Sequence, residues 1–322
     1  MKIGTFHIEQ PLILAPMSGV TDSPYRKICH SLGASFSLSE MVAARTSLRE
    51  KLSENLRLTS FEGDSPRVIQ LLGSDPAEMA YFAKYVRDLG AEIIDINMGC
   101  PAKKVAKKNA GSALMGDPKI AKKIVESVVD SVDCPVTVKM RTGISKQKIN
   151  AVSLAQEFEK CGVQAITIHG RTKSCSYKEP AEYSTVRAVK EAVKIPILVN
   201  GDITCGETAD LAITKSGADG IMIGRGACGN PWVFLKINSY LNNLRYTPPT
   251  NITVLDLLEN YVDSLYSFYG SVRGHLIARK HVNWFLQKSN FKRHTELTEF
   301  NKLDNNSAQL EFLKKIRKKL AQ

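Results

Sequence analysis

A single thiol, Cys100, stands between Gly99 and Pro101, directly after Glu92 to Asn97, a run that alternates and then turns apolar like a buried strand. Loops leaving the carboxyl ends of strands are where α/β proteins keep reactive groups above a rigid sheet. Four lysines follow closely, Lys103, Lys104, Lys107 and Lys108. Cations near a thiol lower its pKa, and a cluster of them attracts polyanions. Free cysteine is also among the most buried residue types, so Cys100 can equally be a small hydrophobe under the loop, and the lysines an ordinary solvated face.

Further candidates stand at the ends of other apolar runs. Leu12 to Ala15 leads into Pro16, Met17 and Ser18; Val68 to Leu72 contains Gln70; Val136 to Met140 contains Lys139 and is followed by Arg141; Ala165 to Ile168 ends at His169. Lys139 and His169 on neighbouring strand ends suit an electron-rich ring whose reduced form gains negative charge. Asn200, Gly201 and Asp202 close one later run, and Gly224 and Arg225 the next. Glycine-exposed N–H groups at two adjacent ends, with an arginine fork beside them, favour a phosphate. Taken singly, N-G-D and G-R-G are common turns, and a lone lysine or histidine at a strand end is usually solvated or satisfied.

The elements that must hold these residues recur. Eight short apolar runs begin at Leu12, Ser35, Val68, Ile93, Val136, Ala165, Ile195 and Gly220. Between them, helical spacing is clearest at Pro76 to Leu89, Pro118 to Val132, Lys148 to Cys161, Ala181 to Val193 and Thr208 to Ser216. Eight β/α units of roughly 25 to 40 residues predict an α/β chain folded as a (β/α)8 TIM barrel, with its site on the loops at the strands' carboxyl ends. A doubly wound open sheet is the competing architecture, but no G-x-G-x-x-G follows the first strand.

Barrel periodicity stops near Tyr246 to Asn251, a linker containing Pro248 and Pro249. Beyond it, Ile252 to Tyr269, Val272 to Ser289 and Ala308 to Leu320 carry apolar residues at helical spacing. The expected division is therefore a barrel over 1–244 and a small all-helical C-terminal domain over 252–322. Arg273, Lys280, Trp284 and Lys288 fall on one face of the middle helix, with His281 beside them. Basic groups around an aromatic suit RNA, but Trp284 can as well belong to the core with the cations covering the surface. The Lys314 to Lys319 cluster reads as a helix carboxyl end that favours cations.

Composition narrows the function classes. Over 322 residues, 43% are apolar and 24% charged, which excludes a disordered or fibrous chain. The net charge of +12 points to an acidic partner such as nucleic acid. Residues 241–322 carry 13 Lys+Arg against 7 Asp+Glu, a net of +6, so a quarter of the chain supplies half the excess. Seven scattered cysteines, without a C-x-x-C pair, argue against a disulfide framework or a metal site and fit a reducing cytoplasm. No apolar run approaches the ~18 residues of a membrane span, and the amino terminus lacks a signal-peptide core.

The stretch N-M-G-C-P at 97–101, K-V at 104–105 and A-G-S-A-L at 110–114 resembles the active-site signature of the tRNA-dihydrouridine synthases, most closely their bacterial B branch, and the similarity runs over essentially the whole chain. The resemblance implies reduction of the uracil C5=C6 bond in tRNA by bound FMN, itself reduced by NADPH. It further implies that Pro16, Met17, Ser18, Gln70, Lys139, His169, Asn200, Gly201, Asp202, Gly224 and Arg225 line the FMN site. Cys100 is then the acid that protonates C5. A true B-type enzyme implies a D-loop uridine, position 17, and a monomer with no obligate protein partner is expected. Two other readings stand beside it. One is a small-molecule FMN-dependent ene or pyrimidine reductase, which the basic carboxyl-terminal helices oppose. The other is a non-catalytic tRNA-binding protein, for which the strand-end residues would be idle.

Overall fold

The computed structural model describes residues 1–45, 55–175, 177, 179–288 and 294–321. Eight parallel strands close into a barrel: β1 (Leu12–Leu14), β2 (Phe36–Ser37), β3 (Val68–Leu72), β4 (Ile93–Met98), β5 (Val136–Arg141), β6 (Ala165–His169), β7 (Ile197–Asn200) and β8 (Gly220–Ile223). The sheet order is β2-β1-β8-β7-β6-β5-β4-β3. β2 is the seam. Phe36–Ser37 pairs with β1, a parallel bridge joins Leu38 to Val68, and Val42–Ala43 pairs with the end of β3. The expected TIM barrel is thus present, with its second strand split in two.

Period-2 alternation explains the layering. On β4, Ile94, Ile96 and Met98 join the large apolar layer shared with the surrounding helices, while Ile93 joins the barrel interior. Asp95 and Asn97 share the inward parity of Ile93. The same parity points Thr137 and Lys139, Thr167 and His169, and Leu198 and Asn200 inward. The lower interior is apolar and is plugged by the amino-terminal hairpin Lys2–Ile3 with Phe6–His7, whose Ile3 packs with Ile13, Phe36, Val68 and Met222. Polar residues therefore accumulate toward the carboxyl end, where the loops leave.

The helices are α1 (Ser23–Ser31), α2 (Pro76–Asp88), α3 (Lys103–Ala106), α4 (Pro118–Val129), α5 (Ala151–Lys160), α6 (Ser184–Ala192), α7 (Gly206–Ser216) and α8 (Val233–Leu241), followed by α9 (Asn251–Lys288), α10 (His294–Lys302) and α11 (Asn306–Ala321). Asp22, Asp75 and Asp117 cap α1, α2 and α4 by accepting from backbone N–H groups, each with proline in the first turn. Two expectations need correction. Lys148 and Ile149 are not helical, because they pair with Gly143–Ser145 as a hairpin before α5 starts. The loop after Cys100 is not irregular throughout, since α3 and a 3-10 turn over Gly111–Gly116 fold it. α10 has no counterpart in the sequence reading.

Irregular chain over 244–250 leads into α9, which breaks at Gly270 (φ 74°, ψ 175°), between the two helical stretches expected there; Ser289 lies outside the described residues. The helical region does not stand apart. Tyr261, Val262, Leu265, Phe285, Phe300 and Leu313 join the same apolar cluster as the barrel's outer layer. Tyr25 of α1 lies 5.5 Å from Tyr261 and 5.7 Å from His281, ring centre to ring centre, and the Tyr269 hydroxyl donates to Asp22 at 3.0 Å. No described helix is long and apolar enough to cross a membrane.

Candidate active site

A cavity of about 1200 Å³ opens at the carboxyl ends of the strands. Cys100, Pro16, Met17, Ser18, Gln70, Lys139, His169, Asn200, Gly201, Asp202, Gly224 and Arg225 all line it. The sequence candidates thus converge, although they come from seven strands and lie up to 209 positions apart in the chain, from 16 to 225.

Cys100 is half-exposed on a loop held from three sides. Asn97 Oδ1 accepts from the amides of Gly99 (3.1 Å) and Cys100 (3.0 Å). The buried Arg141 donates through Nε to the Gly99 carbonyl at 2.8 Å. The Cys100 carbonyl in turn accepts from Ser112, whose side chain is buried. Gly111 has φ +62°, and a Cβ there would stand 2.8 Å from the Cys100 carbonyl oxygen. The A-G-S of the signature is therefore the strap that fixes the thiol's loop.

Lys139 and His169 take different electrical roles. Lys139 Nζ donates to Asn200 Oδ1 at 3.1 Å, and Asn200 is oriented by donating to the Met222 carbonyl at 2.7 Å. Burial, and then the Arg141 guanidinium, bring Lys139 down to about 8, while Asp95 and Cys100 act the other way. His169 is pushed down to about 2, first by burial and then by Lys139, Arg141, Arg171 and Arg225, so its imidazole is neutral. Arg171 Nη1 lies 3.2 Å from His169 Nε2. A guanidinium only donates, so Nε2 accepts and the ring proton sits on Nδ1. His169 therefore offers a hydrogen bond, not a positive charge.

The β7 and β8 ends are more charged than foreseen. Asp202, at φ +52°, accepts from Arg171 Nη2 at 2.5 Å, from the Ala181 amide at 2.8 Å and from Arg225 Nη2 at 3.3 Å. Burial raises the Asp202 pKa, but those donors outweigh it and hold the carboxyl below the usual range. Asp202 thus organises two arginines. Arg225, 60% exposed at its side chain, lies 4.3 Å above the Tyr177 ring, against which Arg141 and Arg171 also stack. A Cβ on Gly201 (φ +126°) would come within 2.7 Å of Ala181 and 3.0 Å of the His169 ring.

The rim carries cations. Arg45, Arg57, Lys104, Lys108 and Lys288 line the cavity, while Lys103 and Lys107 are exposed and do not line it. The proposed basic stripe of α9 is divided. Trp284 and Lys288 border the cavity, but Lys280 Nζ donates to the Gly19 carbonyl of the loop after β1. His281 is fully buried, its Nδ1 3.0 Å from the Tyr261 hydroxyl, and burial pushes it down to about 3. His281 is a core residue and cannot meet RNA.

Four positions in or beneath the site went unnoticed in the sequence. Asp95 and Thr137 lie in the layer beneath Lys139, and Arg171 and Tyr177 come from the loop after β6. Polar residues recurring at period two inside otherwise apolar strands were the available signal for the first pair. Burial pushes Asp95 up to about 6, against the donors Gln70 and Thr137 and the charge of Lys139.

A deep cavity over the carboxyl ends of a closed parallel barrel is where barrel enzymes carry their chemistry. Across residues 13–321 the sequence matches the model described as Dihydrouridine synthase (Dus), and the chain belongs to that family of enzymes. It is 45% identical over 318 residues to tRNA-dihydrouridine synthase B of Salmonella typhimurium, spanning 97% of this chain and 98% of that one. Identity to the Yersinia pestis protein of the same name is 44% over 326 residues, the full length of both. These relatives bear out the resemblance to the B branch. Among solved structures, an old yellow enzyme homologue from Zymomonas mobilis is similar in fold at a TM-score of 0.52 and 13% identity, over 79% of this chain and 94% of that one.

Proposed function

We propose that the protein reduces the C5=C6 bond of a uridine in tRNA to dihydrouridine, holding FMN in the barrel mouth and drawing on NADPH. The substrate on this reading is a D-loop uridine, position 17, and the enzyme works as a monomer in the cytoplasm. Residues 1–244 carry the chemistry and 252–322 help to grip the RNA.

The residues present fit FMN. The cavity has the volume for a ring and its phosphate tail; the bare backbone at Gly201 and Gly224, beside the exposed Arg225, suits the phosphate. Lys139 at the floor suits the negative charge of a reduced ring, and His169 Nδ1–H adds a neutral donor. FMN, when bound, supplies the hydride to uracil C6.

This chain's residues do the rest. Cys100 holds the proton that C5 receives, and Asn97, Arg141 and Ser112 keep its loop from moving. Asn200 fixes the Lys139 ammonium. The cationic rim attracts the phosphodiester chain, and the target base must leave its stack to reach the cavity floor. The observation that carries the reading is that Cys100, Lys139, His169 and Arg225 all line one cavity.

The test is the visible spectrum of purified protein, bleaching by NADPH, and dihydrouridine formed in tRNA from a deletion strain. A yellow protein that converts position 17 is the expected result. Colourless protein that takes up no FMN, or tRNA left unmodified, overturns the proposal.

A further inference from the structure

A chain of hydrogen bonds runs from the barrel interior to the Cys100 loop, through residues adjacent in register. Gln70 pairs with Asp95, and Asp95 with Thr137, on β3, β4 and β5. Asp95 Oδ1 accepts from the Thr137 hydroxyl at 2.7 Å, and its Oδ2 accepts from Gln70 Nε2 at 2.7 Å. Gln70 Oε1 accepts from Asn97 Nδ2 at 2.7 Å, and Asn97 Oδ1 accepts from the Gly99 and Cys100 amides. Asp95 and Gln70 are each 1% exposed, so water does not replace a lost partner.

The direction of this chain is set at both ends. Backbone N–H groups only donate, which turns Asn97 Oδ1 toward the loop and its Nδ2 toward Gln70. An ionised carboxylate only accepts, which turns Gln70 Nε2 downward and its Oε1 upward. The two constraints agree, and each amide is left one orientation.

We propose that Asp95 is a positioning residue for Cys100, acting through Gln70 and Asn97 to hold the thiol's loop from the barrel interior. The inference rests on the assignment of Cys100 as proton donor. Without an acceptor at position 95, Gln70 is free to turn over. Its Nε2 then faces Asn97 Nδ2, donor against donor, and Asn97 relieves the clash only by releasing the Gly99 and Cys100 amides.

Two variants separate this role from bulk stability. Asn at 95 can accept from Gln70 through Oδ1 and donate to Thr137 through Nδ2, so Asp95→Asn keeps the direction. Asp95→Leu keeps the branching and number of side-chain heavy atoms, though its methyls are bulkier than oxygens, and has no acceptor. Three rates are measured on the full chain: flavin reduction by NADPH, single-turnover tRNA reduction by pre-reduced enzyme, and alkylation of Cys100 by iodoacetamide, read on its own peptide by mass. Asp95→Asn should stay within about threefold of wild type in all three. Asp95→Leu should keep flavin reduction, lose about tenfold or more in tRNA reduction, and shift Cys100 alkylation severalfold, since proton donation depends on geometry. Wild-type tRNA reduction and alkylation in Asp95→Leu, or equal losses in both variants, overturns the proposal. Alkylation needs neither flavin nor tRNA, so this arm still decides if the uridine-reduction reading itself fails.

Should Asp95→Leu not fold, the direction is read another way. Asn97→Asp puts acceptor against acceptor along the chain and should lower Tm by several degrees, of the order expected for a buried unpaired group. Adding Asp95→Asn lets Gln70 turn over, reversing its two side-chain bonds while the loop amides still donate to position 97, and should restore most of the loss. Failure of the double variant to recover overturns the proposal.

Discussion

The Cys100 carbonyl accepts twice from Ser112, from its amide at 3.1 Å and from its hydroxyl at 2.9 Å. A residue twelve positions downstream thereby returns to the one that carries the thiol, and Gly111 makes the approach possible. Gly111→Ala should cost about 2 kcal/mol or more, because it combines a left-handed backbone with a clash against Cys100. Ser112→Ala keeps the amide bond and should cost about 1 kcal/mol. Thermal melts rank the two; equal stability for Gly111→Ala and wild type would show that the strap is loose.

Cys100→Ala should retain FMN and its reduction by NADPH yet make little dihydrouridine. A general acid contributes about 10²- to 10⁴-fold, so a single-turnover rate within about threefold of wild type would make Cys100 structural.

Removing Arg225 should loosen the phosphate. Arg225→Ala is expected to purify with less FMN than Arg245→Ala, whose arginine lies in the irregular segment before α9. Absorbance per mole of protein measures it, and full occupancy in both variants would remove the phosphate from this end of the cavity. Arg225 also pairs with Asp202, so freeing that carboxylate beside an anion adds to the loss.

Lys139 carries a prediction about pH. Its pKa is lowered by burial to about 8, so the charged form is disfavoured in the native state. Between about pH 8 and the ordinary lysine value the unfolded chain binds more protons, and stability rises with pH across that window. Activity moves oppositely. tRNA reduction should decline as pH rises through about 8, and Lys139→Met should lose most of its rate. A wild-type profile flat to pH 9.5 would show that the ammonium charge is not used.

For RNA binding, the informative residue is Lys288, exposed at the cavity rim, and not Lys280, which is bonded to Gly19. Lys288→Glu should weaken tRNA binding and make log K against log salt shallower by about one unit, as one fewer counterion is released. Lys318→Glu near the end of α11 is the control. Unchanged slopes in both would move the contact to Lys104 and Lys108.

The barrel strands were legible in the sequence because each is a short apolar run bounded by turn residues; β3 and β8 match the expected runs residue for residue. The candidate residues were legible for a related reason, since strand ends in such a fold all face one cavity. What escaped was set by tertiary contact. His281 resembles a surface residue until the ring of Tyr261 covers it. Lys280 is at the right spacing for a phosphate, but the loop after β1 claims it. Arg171 and Tyr177 sit in a loop without periodicity, and only folding brings them over Asp202 and Arg225. The helix expected from Lys148 lost its first residues to a hairpin, where local cross-strand pairing outweighed helical spacing.

The barrel and the carboxyl-terminal helices share one apolar interior, from Tyr25 through Tyr261 and His281 to Phe285. Helices and barrel are consequently not interchangeable cartridges. Cutting the chain in the irregular stretch before α9 would bare the flank of α1 instead of releasing two tidy modules, and grafting the helices of another enzyme would require the α1 flank to change with them. Calorimetry should therefore record one transition, with the barrel and the carboxyl-terminal helices lost at the same temperature.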